Sequence, residues 1–160
     1  MRDSVKAILV TLSLVGAACG SSSGKDTSKF VGIWAPTSGI TTQTCNGTAT
    51  TSAVSGNVTW TTGSSSDLVQ EVSSTCVLHA NVSGEVASED GTQTCTSTGT
   101  DPTTGDSITD VFTISNYTFT LTSDTAASEN ASGNLVETDN TTGLSINCTE
   151  SETGATYTKQ

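Results

Sequence analysis

From residue 30 onward the chain is a series of short runs in which apolar and polar positions alternate. Val58 and Trp60 share one parity, as do Leu68, Gln70 and Val72. Cys76, Leu78, Ala80 and Val82 then line one face, with Val77, His79 and Asn81 on the other. Ile108, Asp110, Phe112 and Ile114 alternate, Ser115-Asn116 reads as a turn, and Tyr117, Phe119 and Leu121 alternate back. Later runs place Leu135 with Glu137, Leu144 and Ile146 with Cys148, and Ala155 with Tyr157. A period of two marks strands with one buried face, and no window carries the i, i+3, i+4, i+7 spacing of an amphipathic helix.

The punctuation agrees. Asn46-Gly47 separates runs at 40–45 and 48–54, and both residues tolerate the positive φ of a two-residue hairpin turn. Asp90-Gly91 predicts a second hairpin before a run at 92–98, and 101–106 reads as a loop. Ser55-Gly56, Ser83-Gly84, Ser132-Gly133 and Thr142-Gly143 each read as a turn that opens a strand. Their spacings are unequal, so this is repeated turn chemistry and not a solenoid. A single sheet of such strands could not bury its apolar face. The fold predicted is therefore all-β, an antiparallel up-and-down β-barrel, with a β-sandwich as the alternative.

Composition sharpens this. The chain of 160 residues holds 33 Thr and 24 Ser but only 2 Pro, and its aromatic content is 4%. Thr favours strands through its branched Cβ. The alternative, a disordered stalk, fits neither the alternation nor the cysteines.

The first 18 residues differ from the rest. Arg2 and Lys6 precede an apolar stretch at 7–15, then the small residues Gly16, Ala17 and Ala18. That stretch is too short to span a bilayer and reads as an export signal. Cys19 follows, then a Gly/Ser-rich tether to residue 29, before a domain at 30–160. Small residues, then Cys, then a Gly/Ser tether resembles the lipobox of bacterial lipoproteins, in which the new N-terminal Cys carries lipid. The resemblance implies attachment at Cys19 and, from Gly20 after the Cys, a cell-envelope location at the outer membrane.

Processing makes the chain more acidic. Cleavage after Ala18 removes Asp3, Arg2 and Lys6, so sixteen acids become fifteen and five bases become three, a net charge of −12. Only Lys25, Lys29 and Lys159 stay basic. This excludes nucleic acid as a partner, because phosphate contacts need clustered Lys/Arg. It also leaves membrane attachment to the lipid rather than to a basic patch.

Phe30-Val31-Gly32-Ile33-Trp34 looks like the Gly-x-Trp opening of lipocalin-like domains. The run from Phe112 to Leu121, the ending Tyr157-Thr158-Lys159, and the stretch through Cys76, Gly84 and Cys95 are similar to small bacterial lipocalin-like lipoproteins. The resemblance implies Trp34 packed at the closed base of the barrel, with Lys159 as the basic residue over its ring.

Export to an oxidising compartment implies that Cys45, Cys76, Cys95 and Cys148 pair. Three connectivities exist. Cys76–Cys95 would close a short loop between neighbouring strands, and Cys45–Cys148 would tie the first hairpin to the last strand of a closed barrel. No Cys-x-x-Cys spacing suggests zinc. His79, the single His, alternates out of phase with Leu78 and Ala80 and is expected to face solvent. Glu85, Glu89 and Asp90 beside a turn read as solvated acids, and Asp101 and Asp106 supply too few oxygens for calcium. Seven Asn-x-Ser/Thr sequons, from Asn46 to Asn147, read as turn and strand residues. No cofactor, metal or catalytic constellation is indicated. Two functions follow as expectations: a lipid-anchored barrel that binds a small apolar ligand or serves a structural envelope role, or an acidic interaction protein for a basic partner.

Overall fold

The computed structural model describes residues 25–73, 76–101 and 104–160. The export signal, Cys19 and Pro102 lie outside the described residues. Ten antiparallel strands form one sheet. They are β1 (Gly32–Cys45), β2 (Thr48–Ala53), β3 (Val58–Thr62), β4 (Leu68–Ser73) and β5 (Cys76–Ser83). The second half holds β6 (Val86–Glu89), β7 (Gln93–Thr100), β8 (Ser107–Ser123), β9 (Ala126–Asp139) and β10 (Ser145–Lys159).

The hydrogen bonds run in a ring. β1 pairs β3, and the ladder continues through β4, β5, β6, β8, β9 and β10 back to β1. The two remaining strands extend this ring. β3 lies along β1 at Gly32 to Trp34 and β2 along the same edge at Ile40 to Cys45. Likewise β6 and β7 occupy successive stretches of one edge of β8. Each pair is thus one long strand with a jog in it. With the jogs joined, every strand neighbours the next in sequence, the simplest antiparallel meander. The long strands continue past the short ones as a six-stranded extension, β2-β1-β10-β9-β8-β7.

Side chains patch the second jog, where the ladder is broken. Gln93 gives its amide to the His79 carbonyl (2.6 Å) and accepts from the His79 N–H (2.7 Å), as a backbone peptide would. Glu89 accepts from the Tyr117 N–H at 2.8 Å. Buried backbone groups need such partners, and these residues supply them.

Several sequence expectations change here. Asn46-Gly47 does make the β1–β2 hairpin, with φ of 50° and 79°. Asp90-Gly91 marks a jog, not a hairpin, because the strands on either side share one partner, and Ser55-Gly56, the turn before β3, marks the other jog. Ser115-Asn116 is not a turn either. β8 runs through it with a bulge between Ile114 and Asn116. The extra residue shifts the parity, so Ile114 and Tyr117 both face inward. Leu144 and Ile146, expected to share the buried face of Cys148, are 72% and 40% exposed. They sit at the far end of the extension, where nothing packs over them.

Ser132-Gly133 lies inside β9 rather than opening a strand. Gly133 is there for close approach. A Cβ at this position would lie 2.5 Å from the Thr113 carbonyl oxygen and 2.8 Å from the Phe112 ring. Gly133→Ala should therefore destabilise the domain by about 1–3 kcal/mol through overpacking, read from its urea midpoint. An unchanged midpoint would show that the Thr113 backbone and the Phe112 ring both shift aside without cost.

The core fills the ring. Trp34, Trp60, Phe30, Phe119 and Leu68 are fully buried, joined by Leu78 and Val82. Phe119 meets Trp34 edge-on at 5.2 Å, Trp60 at 6.0 Å and Tyr157 at 5.6 Å. Few aromatics suffice because they converge on one end of the ring, the end that holds the start of β1 and the end of β10.

Candidate functional site: a closed base and an acidic mouth

The aromatic end is built around Gly32-Ile33-Trp34. Gly32 has φ of 136°, and a Cβ there would press on Lys159 Cε at 3.0 Å. Only glycine lets the lysine stem lie across this strand start. Lys159, opposite Trp34 in the β1–β10 register, sets its Nζ 5.3 Å from the indole centroid. Its ammonium donates to the Lys29 carbonyl at 2.7 Å, and Trp34 Nε1 donates to the Phe30 carbonyl at 2.7 Å. Lys25 pairs with Asp67 at 2.7 Å and Lys29 with Glu85 at 3.0 Å. Residues 25–29, the end of the expected tether, are thus fastened to the aromatic end. All three lysines of the described residues lie here.

Both disulfides belong to the opposite half. Cys45 and Cys148 face each other across β1 and β10 and are bonded, closing 103 residues. Cys76 on β5 is bonded to Cys95 on β7, across the second jog. His79 is half-buried rather than open to solvent, and its Nδ1 is 3.1 Å from Ser66 Oγ. Asp101 and Asp106 close their loop through the backbone, with Asp101 N donating to the Asp106 carbonyl at 2.8 Å.

The inner face above the aromatic floor is acidic. Direct partners in an antiparallel pair point to the same side. The register therefore sets Asp110 opposite Glu137, Glu150 opposite Gly133, and Glu152 opposite Ala131, on the face that continues from Ile114 and Cys148. Glu129, opposite Phe119, is the deepest of this set and only 6% exposed. The outer face of the extension contrasts with this. There the same registers align Thr42, Thr44, Thr149, Asn134, Thr113 and Thr94, none of them charged.

Glu129 stands beside Tyr117 and Tyr157, both buried. Tyr157 donates to Glu152 Oε1 at 3.4 Å, and Tyr117 to Gln70 Oε1 at 3.5 Å. Glu129 Oε2 has no hydrogen-bond partner, nor has the buried Trp60 Nε1. Burial, then the nearby Glu152 charge, pushes the Glu129 carboxyl up to about 7; the Tyr157 and Tyr117 hydroxyls offset part of this. Burial also raises Glu150 and Glu152 above the usual carboxylate range. Burial, then the carboxylates, holds both tyrosines above theirs.

The sign for stability follows. Below the unfolded value Glu129 is protonated in both states and costs nothing. Between that value and about 7 the folded chain holds the proton more tightly, so stability falls as pH rises. Glu129→Gln should remove this slope and stabilise the domain at pH 8 by on the order of 2–3 kcal/mol. Urea midpoints at pH 5 and pH 8 test it. A variant that keeps the wild-type slope would assign the slope to other groups.

Glu129, Glu150 and Glu152 were not singled out in the sequence, and Gln70 was read only as a strand position. One signal for Glu129 was there: Ala127, Glu129, Ala131 and Gly133 form an alternating series of small residues with one acid in it.

No family model matches this chain. No curated protein matches it. A solved structure of a protein with unknown function from the DUF3598 family of Nostoc punctiforme is similar over 83% of this chain and 48% of its own length, at 10% identity and a TM-score of 0.33. This chain thus spans about half of that protein.

Proposed function

We propose that the chain is exported, lipidated at Cys19 and anchored in the bacterial outer membrane, and that it binds a cationic partner. Its ring is then a lipocalin-like up-and-down barrel whose mouth presents the acids. The observation that carries this reading is the set of acids on the inner face of the mouth: Asp110, Glu129, Glu137, Glu150 and Glu152. The three lysines lie at the other end, matched there by Asp26, Asp67, Glu85 and Asp124. Because residues 25–29 fasten to the aromatic end, a lipid at Cys19 would turn that end to the bilayer and the mouth away from it. An apolar ligand is a poorer fit. Trp34, Trp60 and Phe119 fill the floor, and carboxyl groups line the space above.

Two measurements test the reading. Cys19→Ser should move the protein from the membrane fraction to the soluble one; retention on membranes in high salt would refute lipid anchoring. The full-length chain should bind poly-lysine at low ionic strength and lose most of that affinity in molar salt, where the Debye length falls to about 3 Å. Binding unmoved by salt, or none at all, would refute the acidic mouth as the docking surface.

A further inference from the structure

We propose that Glu129 and Glu152 form the seat for one primary ammonium group, either a small amine or the Nζ of a lysine on the partner. The proposal rests on the cationic-partner reading above and names the chemical group that the mouth recognises. Glu129 is more than nine-tenths buried, and its Oε2 has no hydrogen-bond partner. A buried carboxylate oxygen left in that state is costly, and a charged N–H donor is the group that satisfies it best. Glu152 stands close to it from β10 and, with Glu150, Phe112, Ala131, Ser132 and Ser151, lines a neighbouring crevice of about 20 Å³ that Glu129 itself does not border.

The class of guest follows from the donors it must bring: an ammonium head carries three N–H groups, and a quaternary ammonium carries none. Among the described residues no group of three His, Cys, Asp or Glu side chains is placed to hold a metal ion, and calcium would need six or more oxygens. The groups facing Glu129 are Tyr117 from β8 and Glu152 and Tyr157 from β10, with Glu150 next to Glu152. Two carboxylates and two hydroxyl oxygens match the three hydrogens of an ammonium head.

Methylammonium chloride is the probe, with sodium chloride and tetramethylammonium chloride at matched ionic strength as controls, on the full-length chain in detergent at pH 8. Methylammonium should shift the Glu129 carboxyl resonance in carbon NMR saturably and raise the melting midpoint, and the two controls should do neither. Glu129→Gln should weaken methylammonium binding by about tenfold or more, the loss expected for a hydrogen bond to a charged group. Equal effects of all three salts on the wild-type chain would overturn the seat and leave Glu129 beside a buried water only. Poly-lysine separates the two readings. Salt-sensitive poly-lysine binding without a methylammonium effect would sink the seat and spare the acidic mouth. A methylammonium effect without poly-lysine binding would do the reverse.

Discussion

Replacing Cys45 and Cys148 together by serine should lower the stability of the domain by roughly 2–5 kcal/mol, the range for loss of a native bridge in a small secreted domain. The bridge closes 103 residues. In the loop-entropy model a loop of that size is worth about 4.7 kcal/mol, against about 3 kcal/mol for a loop near the 19 residues closed by Cys76–Cys95. Its position adds to the effect. Cys45 and Cys148 are direct partners in the β1–β10 ladder, the seam where the ring joins its first strand to its last. Each single variant should lose as much as the double, because either breaks the same bond, and loss of Cys76–Cys95 should add separately. Urea midpoints and peptide mapping without reductant provide the check. A Cys45–Cys76 linkage, or a double variant clearly worse than both singles, would contradict the pairing.

Phe119→Ala should cost about 3–5 kcal/mol, as truncation of a buried aromatic does when its surroundings cannot collapse into the space. Phe119 touches three other rings, those of Trp34, Trp60 and Tyr157. Two of these are fully buried and fixed from other strands, so the cavity would persist. Edge-on ring pairs contribute about 0.5–1.5 kcal/mol each beyond area, and the variant loses several at once. A small loss, near that of a surface substitution, would mean that the rings repack and that the floor is softer than its packing implies.

Much of this architecture was legible because the aromatic and aliphatic runs alternate against polar neighbours. β5 is the clear case, with Cys76, Leu78, Ala80 and Val82 all buried as their parity requires. Where threonine dominates, the contrast vanishes. β2 reads Thr-Ala-Thr-Thr-Ser-Ala and is exposed throughout. Threonine is both a strand former and a polar residue, so its parity carries no inside or outside. β9 was seen only at Leu135 and Glu137, although it spans Ala126–Asp139, because its other inward positions are small residues such as Ala127, Ala131 and Gly133, which give little apolar contrast. Bulges hid the rest. The shift after Ile114 resembles a turn in one dimension, and the shift between Glu152 and Ala155 breaks the link between Glu152 and the buried Tyr157. The buried acid was hidden more deeply. Glu129 owes its environment to Tyr117 and Glu152 on two other strands, and no local pattern reports those neighbours.

The β1–β10 seam also sets the order in which the chain can be completed. Every other ladder of the ring joins strands that follow closely in sequence, and each can zip as soon as both members exist. The seam alone joins Trp34 to Lys159 and Cys45 to Cys148. A chain threading outward from its N-terminus must therefore wait, with β1 unpaired on that edge, until β10 has crossed. Non-local pairing of this kind is slow, and the open edge is exposed for the whole interval. The segment left waiting, Thr-Thr-Gln-Thr at positions 41–44, is polar, and so are its counterparts on β10. An edge of that composition tolerates delay in water better than an aliphatic one would, and the oxidation of Cys45 with Cys148 then makes the late closure permanent.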